Sequence, residues 1–238
     1  MDSLYIVIPA YNEEANIEAV AREWHSVIAE ICTEGGSGRL LIIDDESRDS
    51  TYAKLLALKA ELPQLEVITK PNCGHGGTVL LGYNRAVGQK ADYVFQTDSD
   101  GQTVPSEFWA LWEQRTQYDI QIGHRKGRQD GFGRVLVTKV LKLVIFFTFG
   151  LWITDANTPF RLMSAGSLEK LLPQIPKDYN LTNVLVTVLY EKAKARIRYV
   201  PITFRPRQGC VNSINMKRIV KIGRKAVQDF ASLRRTVQ

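Results

Sequence analysis

The chain's 238 residues, 45% hydrophobic and 24% charged, can bury a full core, which excludes a disordered or low-complexity protein and predicts one globular domain. Its net charge of +6 suits an anionic partner such as phosphate groups or a membrane surface. Three scattered cysteines, Cys32, Cys73 and Cys210, exclude a disulfide framework and a C-x-x-C metal site; with no secretory leader pattern at the start, a reducing cytoplasm is the expected compartment.

Residues 4–8 (LYIVI) form an apolar run closed by Pro9, and Ile17, Val20, Trp24, Val27, Ile28 and Ile31 follow at helical spacing. This strand-then-helix unit recurs: 40–43 with 50–62, 65–68 with 78–87, and 93–96 with 105–117. The alternation predicts an α/β fold with a doubly wound, mostly parallel sheet. After Ile122 the rhythm changes to a Gly- and Arg-rich loop, an apolar helix from about Arg134, a short segment over 158–163, a helix near 180–194 and a strand over 196–204.

The most apolar stretch, 143–153 (LVIFFTFGLWI), has about half the roughly 20 residues a spanning helix needs, so it is expected not to cross a bilayer. It reads either as a core helix or as a membrane-contacting one. Residues 214–238 predict a basic amphipathic helix: Lys217, Arg218, Lys221, Arg224, Lys225, Arg234 and Arg235 accompany Met216, Ile219, Val220, Val227 and Phe230 at helical spacing.

In parallel sheets ligands bind beyond the carboxyl ends of the strands, where these units put Tyr11-Asn12-Glu13, Asp44-Asp45 and Asp98-Ser99-Asp100. Residues i and i+2 of extended chain point to one side, so Asp98 and Asp100 can share a divalent ion, with Gln102 adding a neutral oxygen. Such an ion offsets charge on a departing diphosphate. The alternative is an acidic turn that merely closes a strand. Asp44 and Asp45 suit hydrogen bonds from a base or ribose; alternatively they are solvated acids ahead of a helix capped by Asp49 and Ser50, and Asn12 and Glu13 are only the entry to the first helix. In Asn72-Cys73-Gly74-His75-Gly76-Gly77 the glycines permit close backbone approach to a ligand, while His75 reads as a loop histidine.

Together these segments resemble the family 2 glycosyltransferases of the GT-A fold over nearly the whole chain. The matching strings are Ile6-Val7-Ile8-Pro9-Ala10-Tyr11-Asn12-Glu13-Glu14, Ile43-Asp44-Asp45-Glu46-Ser47-Arg48-Asp49-Ser50-Thr51, Asn72-Cys73-Gly74-His75-Gly76-Gly77 and Asp98-Ser99-Asp100-Gly101-Gln102. The resemblance implies that Pro9, Ala10, Tyr11, Asn12, Glu13, Asp44, Asp45, Lys70, Asn72, Gly77 and Asp98 lie around a nucleotide diphosphate sugar. It also implies that Asp98, Asp100 and Gln102 hold Mg²⁺ or Mn²⁺. Glu46 departs from the pattern, standing where the family usually has glycine.

The second half is similar to the polyprenyl-phosphate branch, the dolichol-phosphate mannose synthases and their bacterial relatives. Its strings are Ile122-Gly123-His124-Arg125, Asp155-Ala156-Asn157-Thr158-Pro159-Phe160-Arg161-Leu162 and Val200-Pro201-Ile202-Thr203-Phe204-Arg205-Pro206-Arg207-Gln208-Gly209. That likeness implies that Arg125 and Arg134 bind the acceptor phosphate and join Asp98 and Asp100 in catalysis. Arg161, Arg205 and Arg207 fall on the acceptor side; a solvated basic surface is the alternative. Thr158-Pro159 replaces the branch's usual Ser-Gly, and an acid of the helix before the last strand is replaced near Asn183. A hydroxyl acceptor needs a general base, whereas an ionised lipid phosphate needs none, so the loss leans toward a phosphate acceptor.

The expected organisation is a GT-A catalytic domain over 1–213, with a nucleotide-sugar half (1–122) and an acceptor half (123–213), and the basic helix over 214–238. The expected activity is inverting, metal-dependent hexosyl transfer from a UDP- or GDP-sugar to a polyprenyl phosphate, by a peripheral protein at the inner face of the membrane. A membrane subunit or a homo-oligomer stays open as a further partner. Transfer to a hydroxyl of a capsular or cell-wall glycan, and noncatalytic nucleotide-sugar binding, are the alternatives. Nucleic acid is not expected, because no basic stretch is interleaved with aromatics.

Overall fold

The computed structural model describes residues 2–125, 132–177 and 179–206, without the side chains of Arg125 and residues 132–138. Arg207 and the expected helix over 214–238 lie outside the described residues. Strand β1 (Ser3–Ala10) leads into helix α1 (Ile17–Thr33), β2 (Ser37–Asp44) into α2 (Thr51–Leu58), and β3 (Leu65–Thr69) into α3 (Gly74–Gly88). After β4 (Tyr93–Gln96) come a 3₁₀ turn (Pro105–Phe108) and the short α4 (Trp109–Trp112). The second half adds β5 (Ile120–Arg125), α5 (Phe132–Phe149), β6 (Arg161–Ser164), α6 (Ala165–Leu171), α7 (Thr182–Lys192) and β7 (Ile197–Ile202).

The seven strands form one sheet in the order β3-β2-β1-β4-β6-β5-β7. All neighbours are parallel except β6, which runs antiparallel between β4 and β5. This is the mostly parallel α/β sheet that the strand-helix alternation predicts. Alternate residues of each strand feed two layers, as a sheet covered on both faces requires. Ile6, Ile8, Leu40, Ile42 and Phe95 pack under α1 and α2, while Val7, Leu41, Ile43, Val94 and Ile122 pack under α3, α5, α6 and α7. Among the described residues no helix is long and apolar enough to cross a membrane.

Several elements differ from the sequence expectation for identifiable reasons. Pro9 does not end β1, because pairing with β4 stops at Val7 opposite Gln96. On that side the missing proline N–H breaks no ladder bond, and β1 keeps pairing with β2 out to Ala10 opposite Asp44. The helix expected over 105–117 is split, since Pro105 opens a 3₁₀ turn. Helix α3 begins at Gly74 rather than near Thr78, so the glycine string is its first turn and not a preceding loop. Helix α6, which the sequence reading did not anticipate, starts directly from the end of β6.

Candidate active site

The strand order reverses at β1: β2 and β3 lie to one side, β4 to the other. A cleft of about 390 Å³ opens there, beyond the carboxyl ends of β1, β2 and β4. Pro9, Ala10, Tyr11 and Glu13 line it after β1, Asp45 after β2, Asp98, Ser99 and Asp100 after β4, with Asn72, Gly74, His75 and Thr78 around the start of α3.

A polar zipper between residues 12–14 and 47–54 shapes the first wall. The Asn12 amide donates to Ser47 Oγ at 2.9 Å, the Arg48 amide returns a bond to Asn12 Oδ1 at 2.8 Å, and the Glu13 amide donates to Thr51 Oγ1 at 2.8 Å. The Ser50 amide and Lys54 Nζ bind Glu14 Oε2 and the Glu14 carbonyl at 3.1 and 2.9 Å. Asn12 itself takes φ +54. Asn12 therefore serves the wall's geometry and does not line the cleft.

The two neighbouring aspartates of β2 divide their work. Asp44 is buried and accepts Thr69 Oγ1 at 2.9 Å and the Ser47 amide at 3.3 Å, so it holds the loop from behind instead of facing the cleft, which corrects its expected contact with the nucleotide. Asp45 lines the cleft, pairs with Lys70 Nζ and accepts the Cys73 amide at 2.9 Å. Burial opposes its charge, but Lys70 and the Cys73 amide outweigh that and hold its carboxyl below the usual range. The same partnership raises the Lys70 ammonium against its own burial; Lys70 also lies 2.8 Å from Cys73 Sγ. Lys70 thus stands behind Asp45 and not in the lining.

Glu46 takes φ +61, the left-handed conformation that a glycine adopts without strain, and its carboxylate receives the Asn72 amide at 3.0 Å. Asn72 Nδ2 in turn donates to the Asp45 carbonyl at 2.8 Å. Within the glycine string Gly74 lines the cleft, whereas Gly76 and Gly77 serve packing. A Cβ on Gly76 would lie 2.2 Å from the Tyr179 carbonyl, and one on Gly77 would lie 2.5 Å from Cys73 Sγ. Gly77 is accordingly absent from the lining, whereas His75, read from sequence as a loop residue, faces the cleft and bonds Asp98 Oδ1 at 2.9 Å.

Ser99 Oγ donates to the Pro9 carbonyl at 2.8 Å and pins the segment after β4 to β1. Asp98 and Asp100, on either side of it, both reach the cleft. A cation that takes the rest of its oxygens from a diphosphate and water asks the protein for only one or two carboxylates. Among the described residues no group of three or more His, Cys, Asp or Glu makes a self-sufficient cage. The donor set therefore fits Mg²⁺ or Mn²⁺ arriving with a diphosphate. Gln102 stands outside the cleft lining, where its Nε2 donates to the Arg205 carbonyl at 3.0 Å and its main-chain carbonyl accepts the Arg205 amide at 2.7 Å.

The acceptor-side arginines separate. Arg161 is fully buried and donates to the carbonyls of Thr158 (2.6 and 3.0 Å), Ala156 (3.3 Å) and Asn183 (2.9 Å) and to Thr187 Oγ1 (3.3 Å). Its donors are spent on bracing residues 156–158 against α7, a correction to its expected contact with acceptor. Arg205 pairs with Glu23 of α1 at 3.3 Å, outside the cleft lining. Arg125 ends β5 and Arg134 sits in the first turn of α5; the side chains of both, and Arg207 entirely, lie outside the described residues.

This arrangement is the GT-A fold. Glucosyl-3-phosphoglycerate synthase from Mycobacterium tuberculosis, solved with Mn²⁺ and UDP-glucose, is similar with a TM-score of 0.68 over 98% of this chain and 79% of that one, at 17% identity. The model of Glycosyl transferase family 2 matches residues 5–172, and the chain belongs to that family. Among curated relatives, undecaprenyl-phosphate 4-deoxy-4-formamido-L-arabinose transferase of Pseudomonas aeruginosa is 30% identical over 176 residues, 72% of this chain and 50% of that protein. The chain thus spans about half the length of that relative. UDP-N-acetylglucosamine–dolichyl-phosphate N-acetylglucosaminyltransferase of Methanococcus voltae is 25% identical over 219 residues, 84% of each chain.

Proposed function

We propose that this chain transfers a hexose from a nucleoside diphosphate sugar to a polyprenyl phosphate, with inversion and with Mg²⁺ or Mn²⁺ held by Asp98 and Asp100. The observation that carries the reading is the convergence of those two carboxylates with Tyr11, Glu13 and Asp45 in one cleft at the switch point of the sheet. The lipid-phosphate acceptors in the names of the Pseudomonas and Methanococcus relatives support the acceptor class.

Tyr11, exposed at the rim, offers a ring face to the base, and Asp45 and Asn72 offer hydrogen-bonding groups to the nucleoside. The cation, when bound, neutralises charge on the diphosphate. A lipid-phosphate oxygen attacks the anomeric carbon from the side opposite the diphosphate; the new C–O bond forms as the old one breaks, and the configuration inverts. That oxygen is ionised at neutral pH, so no residue has to remove a proton. Arg125 and Arg134 hold the acceptor phosphate through paired N–H donors. The basic residues over 214–238 draw the domain to the cytoplasmic face of an anionic membrane.

The test is transfer from UDP- and GDP-sugars to a short-chain polyprenyl phosphate in detergent, with Mn²⁺ and with EDTA. Asp100→Ala should lower the rate about 10²–10³-fold at unchanged melting temperature. Arg125→Ala and Arg134→Ala should raise the KM for lipid phosphate and leave donor affinity alone. Equal rates in EDTA and Mn²⁺ refute the metal role, and transfer to a glycan hydroxyl instead refutes the acceptor.

A further inference from the structure

From Leu141 onward helix α5 is apolar on two opposite faces. One packs inward through buried Ile145, with Leu141, Val144 and Phe149 against the same core. The other carries Leu143, Phe146 and Phe147 at i, i+3 and i+4, exposed to 47%, 43% and 77%. Gly150, at φ +72, ends the helix with its amide on the Phe146 carbonyl at 2.8 Å. The reversal brings Trp152, 68% exposed, to 5.9 Å from the Phe146 ring, edge on; Phe147 touches the same ring at 5.6 Å. One turn earlier the same arc of the helix carries exposed Lys139 and half-buried Lys142.

Three large aromatic rings open to water, with Phe146 touching both of the others, mark a binding surface. Rings seated at the acyl boundary with ammonium groups at the level of the lipid phosphates are what a bilayer interface selects. We propose that the face formed by Leu143, Phe146, Phe147 and Trp152, flanked by Lys139 and Lys142, docks on an anionic lipid leaflet. Charge favours that occupant: the lysines beside the rings meet lipid phosphates there, whereas a second copy of this face would offer them none. The purpose of the docking, delivery of the site to a lipid-linked acceptor, rests on the proposed function, but the docking has its own test.

Full-length protein is mixed with vesicles of phosphatidylcholine, with or without phosphatidylglycerol. Of the chain's four tryptophans, Trp24 and Trp112 are buried and Trp109 is half-buried, so Trp152 is the ring free to change its surroundings. Anionic vesicles should shift tryptophan emission to the blue, and Trp152→Phe should abolish the shift. Phe147→Ser and Trp152→Ser should each weaken flotation with anionic vesicles about tenfold. Their melting temperature and their turnover of lipid phosphate in detergent should stay unchanged, since both side chains already face water. Flotation indifferent to both substitutions, or an unshifted Trp152, overturns the proposal. So does a dimer that Phe147→Ser dissolves without any flotation, which would give the face to a second copy. Failure of turnover in detergent with docking intact would instead sink the proposed acceptor and leave the docking surface standing.

Discussion

Replacing Arg161 separates two roles for a buried cation. Read from sequence it binds acceptor; read from its contacts it braces the segment before β6. The single Thr187 Oγ1 proton would still serve the carbonyl of Ala156 or of Asn183, at 3.1 and 2.8 Å, but both bonds to the Thr158 carbonyl come from Arg161, at 3.0 and 2.6 Å. Arg161→Met would therefore strand one buried carbonyl, at about 1–3 kcal/mol, and lose charge-assisted bonds. Removing the guanidinium also removes its own desolvation cost, so the net loss is about 2–4 kcal/mol. For a chain of this length that is roughly 5–15 °C in Tm. Arg161→Lys should not rescue, because one ammonium cannot reach the carbonyls that the planar fork spans. Urea unfolding beside steady-state kinetics decides the matter. A loss under about 1 kcal/mol together with a raised KM for lipid phosphate would refute the bracing argument and return Arg161 to the acceptor.

The Asp45–Lys70 pair makes stability pH-dependent with a definite sign. The folded Asp45 carboxyl is held below its ordinary value, so its contribution is complete above that ordinary value and fades as pH falls through the depressed one; Asp45→Asn should cost about 1–3 kcal/mol at pH 7, and the gap from wild type should narrow on acidification in urea titrations. Glu46→Gly relieves the strain of φ +61 while losing the bond to the Asn72 amide, and Glu46→Ala loses the bond but keeps the strain. The glycine variant should unfold about 1 kcal/mol later than the alanine variant, and the reverse order would sink the strain argument.

What the sequence made legible is whatever the chain dictates within a few residues. Apolar runs located β1 to β4 and β7, and the position of Asp98-Ser99-Asp100 just past the end of β4 put two carboxylates into one cleft, although the chain bends at Ser99 and Asp100, and Ser99 lines the cleft as well. Asp45 and Asp44 show where that logic stops. Adjacent residues at a strand end face opposite ways, so only one of the pair lines the cleft, and which one depends on Thr69 and Lys70 from the next strand. The glycine at the Glu46 position could be read as missing. That a glutamate would keep the left-handed backbone and use its carboxylate on Asn72 could not, since the compensating amide is 26 residues away.

The residues misread share one property: their partners are distant in sequence and chemically unmarked. Gly76 comes close to a backbone, as glycines there suggest, but the backbone is that of Tyr179, about a hundred residues on, and carries no motif. Thr182 Oγ1 completes that contact by donating to the Gly76 carbonyl at 2.9 Å, joining α7 to the first turn of α3. The same join fixes the helix that presents His75 to Asp98. Arg161 reaches the Asn183 carbonyl on the same α7, so that helix is held at both contacts, to α3 through Gly76 and to the sheet through Arg161. The second contact is to the main-chain carbonyl of Asn183, so the hold of Arg161 on α7 does not depend on the side chain at 183.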